Sequence, residues 1–290
     1  MTKKRKISLA AITGSLIVIP LFLLLISRDQ SLTRLQKTGE IKIGYAVEAP
    51  YVFLKSGGEV TGEEVEVARV IVSRLNIQNI TWRLVEFNNL IPELEAGRID
   101  IIVAGMFITP ERGTRVSFSE PTFHVQQGLL VADGNPKQLQ SYSQATTQTG
   151  IKIAVISGAI EEALLMDMGV DDSQIVRVPD ALTGRVAVET GIVDGLALSA
   201  LTIRWMASQD QLGRTEVAKP FSQENLPQYQ RLGYGAVVFR QKDKQLREAW
   251  NVALKNFIGS PEHLNLLGTF GFTLQELPGI VTTKEILSQP

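Results

Sequence analysis

The residues best placed to do chemistry lie in a few short runs. Thr109-Pro110-Glu111-Arg112 puts a proline where a helix would begin and an arginine in its first turn, directly after the apolar run Ile99 to Ala104. A guanidinium so placed can grip a carboxylate through two parallel hydrogen bonds, which a lysine cannot do. It could instead make a surface ion pair with Glu111 or Glu120. Phe107 sits between that apolar run and the proline turn, where side chains at the carboxyl ends of parallel strands reach a crevice. Ser157-Gly158-Ala159 follows another apolar run and opens a helix. Its free N–H groups and the Ser157 hydroxyl can bind an anion, and plain capping accounts for the run equally well. Asp180, at a further helix start, reads as a cap.

Composition removes many alternatives. The chain has no cysteine, so thiol nucleophiles, iron–sulfur clusters, cysteine zinc sites and a lipid anchor through an N-terminal cysteine are all excluded. Its two histidines, His124 and His263, are too far apart for local metal-ligand spacing, and no metal or cofactor is expected. Formal net charge is −1, which argues against a nucleic-acid binder that needs a strong positive field. At 290 residues with 44% hydrophobic content, the chain can bury a sizeable core.

Those residues must be positioned by regular elements, and the pattern is strand–helix–strand twice over. Lys3 to Lys6 precede an uncharged apolar run from Ile7 to Ile26, about 30 Å long as a helix. Residues 1–31 therefore read as an export signal or an uncleaved anchor, with the cations left on the cytoplasmic side. A short polar connector leads to Gly39. Ile41, Ile43 and Tyr45 alternate as a strand, and Glu64 to Leu75 is amphipathic with Asn76 as its stop. Ile80 to Leu84 alternates again, Asn88 can cap a helix ending near Gly97, and Ile99 to Ala104 is a strand. After the turn cluster Asp133 to Pro136 the rhythm restarts: strand Ile151–Val155, helix from Ala159, strand Ile175–Val178, helix from Asp180, strand Asp194–Leu198. Gln223 to Arg231 is a polar linker, Tyr234 to Phe239 one more strand, and Leu246, Trp250, Ala253, Leu254 and Phe257 mark an amphipathic helix that needs a partner. The expectation is an α/β protein with parallel pairing and two lobes, 38–132 plus 233–290 and 136–229, enclosing a ligand in the cleft between them.

The run Gly44 to Tyr51, Gly62, Phe87 to Gly97, Ala104 to Arg112 and Phe118-Ser119-Glu120-Pro121 resemble the family 3 extracytoplasmic solute-binding proteins of ABC importers, most closely the ectoine/hydroxyectoine-binding branch. The resemblance implies a type II periplasmic-binding-protein-like fold and gives Arg112 the ligand carboxylate. Most amino-acid-binding relatives carry an aspartate five positions after the residue matching Asp194, where it holds the ligand ammonium; this chain has Ser199. Tyr51, Phe87 and Phe107 match the aromatic cage of the ectoine branch, and Glu48 its acidic partner. A delocalised amidinium suits ring faces, each contributing roughly 0.5–2 kcal/mol when desolvated. By pattern alone, Tyr51 and Phe87 could be core aromatics and Glu48 a solvated turn residue beside Ala49-Pro50. Trp82 and Trp250 follow core periodicity, and Arg204 matches the branch without a readable role.

Three classes of function follow. The favoured one is a non-catalytic, monomeric, extracytoplasmic binding protein that closes on a small zwitterion and presents it to a membrane permease. Within that class a polar amino acid is the alternative ligand; the second class is a dehydratase-like enzyme on the same fold, and the third a sensor module that would require a separate partner chain. The enzyme would need a placed acid or base, and Glu48 is the one obvious candidate; His124 reads as structural.

Overall fold

The computed structural model describes residues 29–222 and 232–289, so the apolar run before Arg28 and the linker Gln223 to Arg231 lie outside the described residues. The strand Glu40–Tyr45 alternates as expected, with Ile41 and Ile43 fully buried and Lys42 exposed. It pairs in parallel with Asn79–Leu84 on one side and Ile101–Ile102 on the other. Val238–Arg240 then adds antiparallel to Ile101–Ile102, and Val116–Phe118 completes a five-stranded sheet.

The helix Lys244–Lys255 buries Leu246, Trp250, Ala253 and Leu254, and finds its partners in the helices Ser31–Thr38 and Glu63–Arg74. The second of these was expected. The first falls where the sequence predicts only a polar connector. Leu32 and Leu35 lie three apart on one face, Leu35 is fully buried, and Gly39 closes the helix in the left-handed region at φ 69°. Arg34 also reaches Asp100 at 2.7 Å. The first lobe thus begins before residue 38.

The second sheet is mixed. Ile153–Ile156 lies parallel to both Ile175–Val178 and Gly195–Ser199, as the βαβ rhythm predicts, while Phe123–Ala132 and Thr215–Val217 are antiparallel additions. Phe123–Ala132 is the element that crosses between lobes. Its first four residues pair with Leu232–Gly235, and from Gln127 it pairs with Gly195–Ser199 in the second sheet. A boundary at residue 132 therefore falls too late, because the turn cluster at 133–136 marks the end of a strand and not the end of a lobe. The single strand expected over Tyr234 to Phe239 is likewise two pieces, one in the crossing ribbon and one in the first sheet.

Trp250, Phe239 and Phe257 are among the largest fully buried side chains and sit in the first lobe's core. Trp250→Ala should lower unfolding free energy in urea by about 3–5 kcal/mol, the usual cost of emptying an aromatic core position. Val252→Ala, on the exposed face of the same helix, should change it by no more than about 0.5 kcal/mol.

Candidate functional site

The strand ends of the two lobes meet around a small, partly open cavity of about 20 Å³, lined by Glu48, Tyr51, Phe87, Gly105, Phe107 and Arg112 from the first lobe, and by Ile156, Ala159, Ile160, Glu161, Leu198 and Ser199 from the second. Six of the eight residues singled out in the sequence meet here. The other two do not. Ser157 accepts a hydrogen bond from Asn88 across the lobes at 3.3 Å, and Gly158 lines a neighbouring crevice. The Gly158 N–H donates to the Glu162 carboxylate at 2.8 Å, so the loop meets its own acid at the point where a ligand anion was expected.

Arg112 is set by local chemistry. Thr109 caps its own turn, Pro110 starts it, and the guanidinium turns inward. One terminal nitrogen donates to the Phe107 carbonyl at 2.8 Å, and the other donates at 2.8 Å to the Gly158 carbonyl of the opposite lobe. Its carbon lies 5.5 Å from the Phe87 ring centre. No ion pair with Glu111 or Glu120 forms. Of the five guanidinium N–H groups, two serve these carbonyls and three remain for a ligand. Burial lowers its pKa to about 10, which still leaves it charged at neutral pH.

The aromatic residues differ in how they are held. Tyr51 is 1% exposed and stacks on Phe123 with ring centres 4.9 Å apart, so most of its ring is core and its hydroxyl end serves the site. Phe107 meets Phe123 edge-on, and Gly233 lies against it so closely that an added Cβ would come within 2.1 Å of the ring. Phe87 is half-buried. Gly105 sits at φ 63°, and a Cβ there would be 2.9 Å from the Tyr51 ring. Below it, the buried Glu64 accepts the Gly105 N–H at 2.7 Å and fixes the loop that carries Phe107.

A hydroxyl chain links the lobes. Tyr51 donates to Ser199 at 2.9 Å, Ser199 and Thr202 are 2.9 Å apart, and Thr202 donates to Glu48 Oε1 at 2.7 Å. Each hydroxyl has one proton to give, so the order Tyr51 to Ser199 to Thr202 to Glu48 is fixed by the carboxylate at its end. Ser199 is therefore saturated by protein partners. Glu48 has one oxygen in this chain and is raised to about 7, first by burial and against the Thr202 hydrogen bond.

Two site residues were not foreseen. Thr202 lies two residues before Arg204, and nothing in the sequence around it assigns it a role. Glu161 is 5% exposed and lines the cavity from the second lobe. The signal for it was present: Glu161, Leu164 and Leu165 form the buried face of the helix Ile160–Asp167. Arg204 joins Glu276 at 2.8 Å, a tie with an arginine half exposed to solvent and hence of small energy. His124 rests against Tyr234 in the crossing ribbon, away from the cavity lining.

Comparison with known proteins gives the same outline. A protein of Sinorhizobium fredii described as a probable amino-acid ABC transporter periplasmic-binding protein, y4tE, is 34% identical over 262 residues, covering 89% of this chain and 86% of that one. ABC transporter arginine-binding protein 1 of Escherichia coli is 27% identical, covering 73% and 84%. Among solved structures, EhuB in complex with hydroxyectoine superposes with a TM-score of 0.81 at 29% identity, covering 91% of this chain and all of that one. An ancestral amino-acid-binding protein, a precursor of cyclohexadienyl dehydratase, shares the fold with a TM-score of 0.72 at 22% identity over 83% and 99%. Residues 41–270 match the bacterial extracellular solute-binding proteins, family 3, and the chain belongs to that family as a substrate-binding protein of an ABC importer for an amino acid or related solute.

Proposed function

We propose that this protein binds ectoine or hydroxyectoine outside the cytoplasm, as a monomer and without turnover, and hands the closed complex to its permease. The observation that carries this reading is the meeting of Arg112, Glu48 and three aromatic side chains in one interlobe cavity, with a neutral, saturated Ser199 where an ammonium-binding aspartate would stand. Arg112 takes the ligand carboxylate through its three spare N–H groups. Phe87 and Phe107 face the delocalised cation, and the free oxygen of Glu48 accepts its ring N–H. The likeness to EhuB, which is bound to hydroxyectoine, supports the same ligand class. Buried carboxyls can also serve acid–base chemistry, and release of water from a cyclic carboxylic acid by the purified protein would replace this reading with an enzymatic one.

Ectoine or hydroxyectoine at about 100 times its dissociation constant should stabilise the protein by about 2.7 kcal/mol, read as a rise in melting temperature. A rise with L-arginine or L-glutamine alone would show an amino-acid binder instead. Arg112→Ala should abolish the ligand-induced rise while leaving the ligand-free melting temperature within a few degrees. Phe107→Ala should weaken a cationic ring ligand more than a neutral analogue of the same size, as titration calorimetry would show; equal losses would remove cation–π attraction from the account.

A further inference from the structure

The cavity contains one cation and two carboxylates, and the carboxylates come from different lobes. Glu48 ends the hydroxyl chain and accepts at Oε1, so that oxygen carries no proton. Glu161 is different. It is nearly fully buried in the cavity wall, and among the described residues no other side chain donates to its carboxyl group; it meets its own backbone N–H. The charged and titratable groups facing it are Glu48 and Arg112 across the cleft, the Tyr51 hydroxyl, and Tyr142 within its own lobe, whose hydroxyl is committed to the Gly128 carbonyl at 2.7 Å.

A zwitterion adds no net charge to this set. If both carboxyls were ionised, the closed site would hold one uncompensated negative charge out of contact with water, which is strongly unfavourable. We propose that Glu161 is a specificity-determining residue that closes over the ligand as a neutral carboxylic acid, so that the site accepts solutes with one carboxylate and one cationic centre and takes up one proton on binding them. Glu48 keeps the charge that balances the ligand cation, and the Glu161 O–H is free to donate to a ligand oxygen. Burial, with the Glu48 charge second, raises Glu161 to about 8 in the closed form, against the opposing pull of Arg112. The inference rests on the zwitterion reading above.

The sign of the pH effect follows from linkage. In an open cleft the carboxyl is hydrated and its pKa is near the ordinary value of about 4.3. A group whose pKa is raised in the bound state favours binding fully below its free value, and that gain disappears as pH rises to the bound value. Affinity should thus fall by nearly tenfold per pH unit between about pH 5 and pH 7, more gently toward pH 8, and level off above.

The test is calorimetric titration of the intact protein with ectoine from pH 5.5 to 9, in buffers of differing ionisation heat, for the native chain and Glu161→Gln. The expected result is uptake of close to one proton at pH 7 by the native protein. Glu161→Gln, neutral at every pH, should show a flat pH profile and no uptake, and should bind more tightly than the native protein at pH 7, where the native acid must first be protonated. A flat profile with no uptake in the native protein overturns the proposal, and so does an unchanged slope in Glu161→Gln. The native buffer series stands alone if the variant does not fold. Should ectoine fail and another zwitterion such as L-glutamine bind, the ectoine reading falls, and the same series on that ligand decides the role of Glu161. Binding of L-arginine alone, with its net positive charge, would overturn both.

Discussion

The site depends on one half-buried guanidinium held between carbonyls of two lobes. Arg112 is fixed from below by the Phe107 carbonyl and from across the cleft by the Gly158 carbonyl. Because both contacts are to backbone, the side chain does not need a protein carboxylate to be held in place. Its positive charge is left for the ligand, in a cavity where water would otherwise weaken the attraction. The same two bonds make ligand recognition and lobe closure one event: whatever draws Arg112 into line also draws the loop at Gly158 toward the first lobe. At Gly158 the approach is so close that a Cβ would lie 3.0 Å from Asn88.

Around that cation the two lobes contribute unlike chemistry. The first supplies rings and Glu48, braced from beneath by the Glu64 bond to Gly105. The second supplies hydroxyls that point their protons toward Glu48, and a single inward acid at Glu161. Neither half alone satisfies its polar groups, since the Tyr51, Ser199, Thr202 and Glu48 bonds all bridge the lobes or depend on one that does. Closing the cleft therefore trades water for a fixed hydrogen-bonded chain, and the specificity of the site is written in which groups that chain leaves free.

Much of this was legible because the decisive signals are local. The Thr-Pro-Glu-Arg turn sets Arg112 within four residues, and strand alternation placed Glu40–Tyr45 and the βαβ units on both sheets. The features that were missed depend on distant partners. The helix Ser31–Thr38 is short and polar, and what holds it is Leu35 packing into a core built by residues far along the chain. The lobe boundary depends on which strands pair with Phe123–Ala132. Glu161 stands beside Glu162 in a first helical turn, where acids are ordinarily favourable to the helix dipole. Glu162 pairs with Arg177 and accepts the Gly158 N–H while Glu161 faces the ligand cavity, and only the period of the buried leucines separates them.

The central claim is that the cavity is made by closure of two lobes on the ligand. The chain has no cysteine, so Glu111→Cys with Met166→Cys places two unique spin labels on opposite walls of the crevice beside Arg112. Pulsed electron–electron distance measurement on this pair, with and without saturating ectoine, reads the closure directly. The account predicts a broader, longer distribution without ligand that collapses to one short distance with it. Bound ligand, verified by calorimetry on the labelled protein, with an unchanged distance distribution would contradict it.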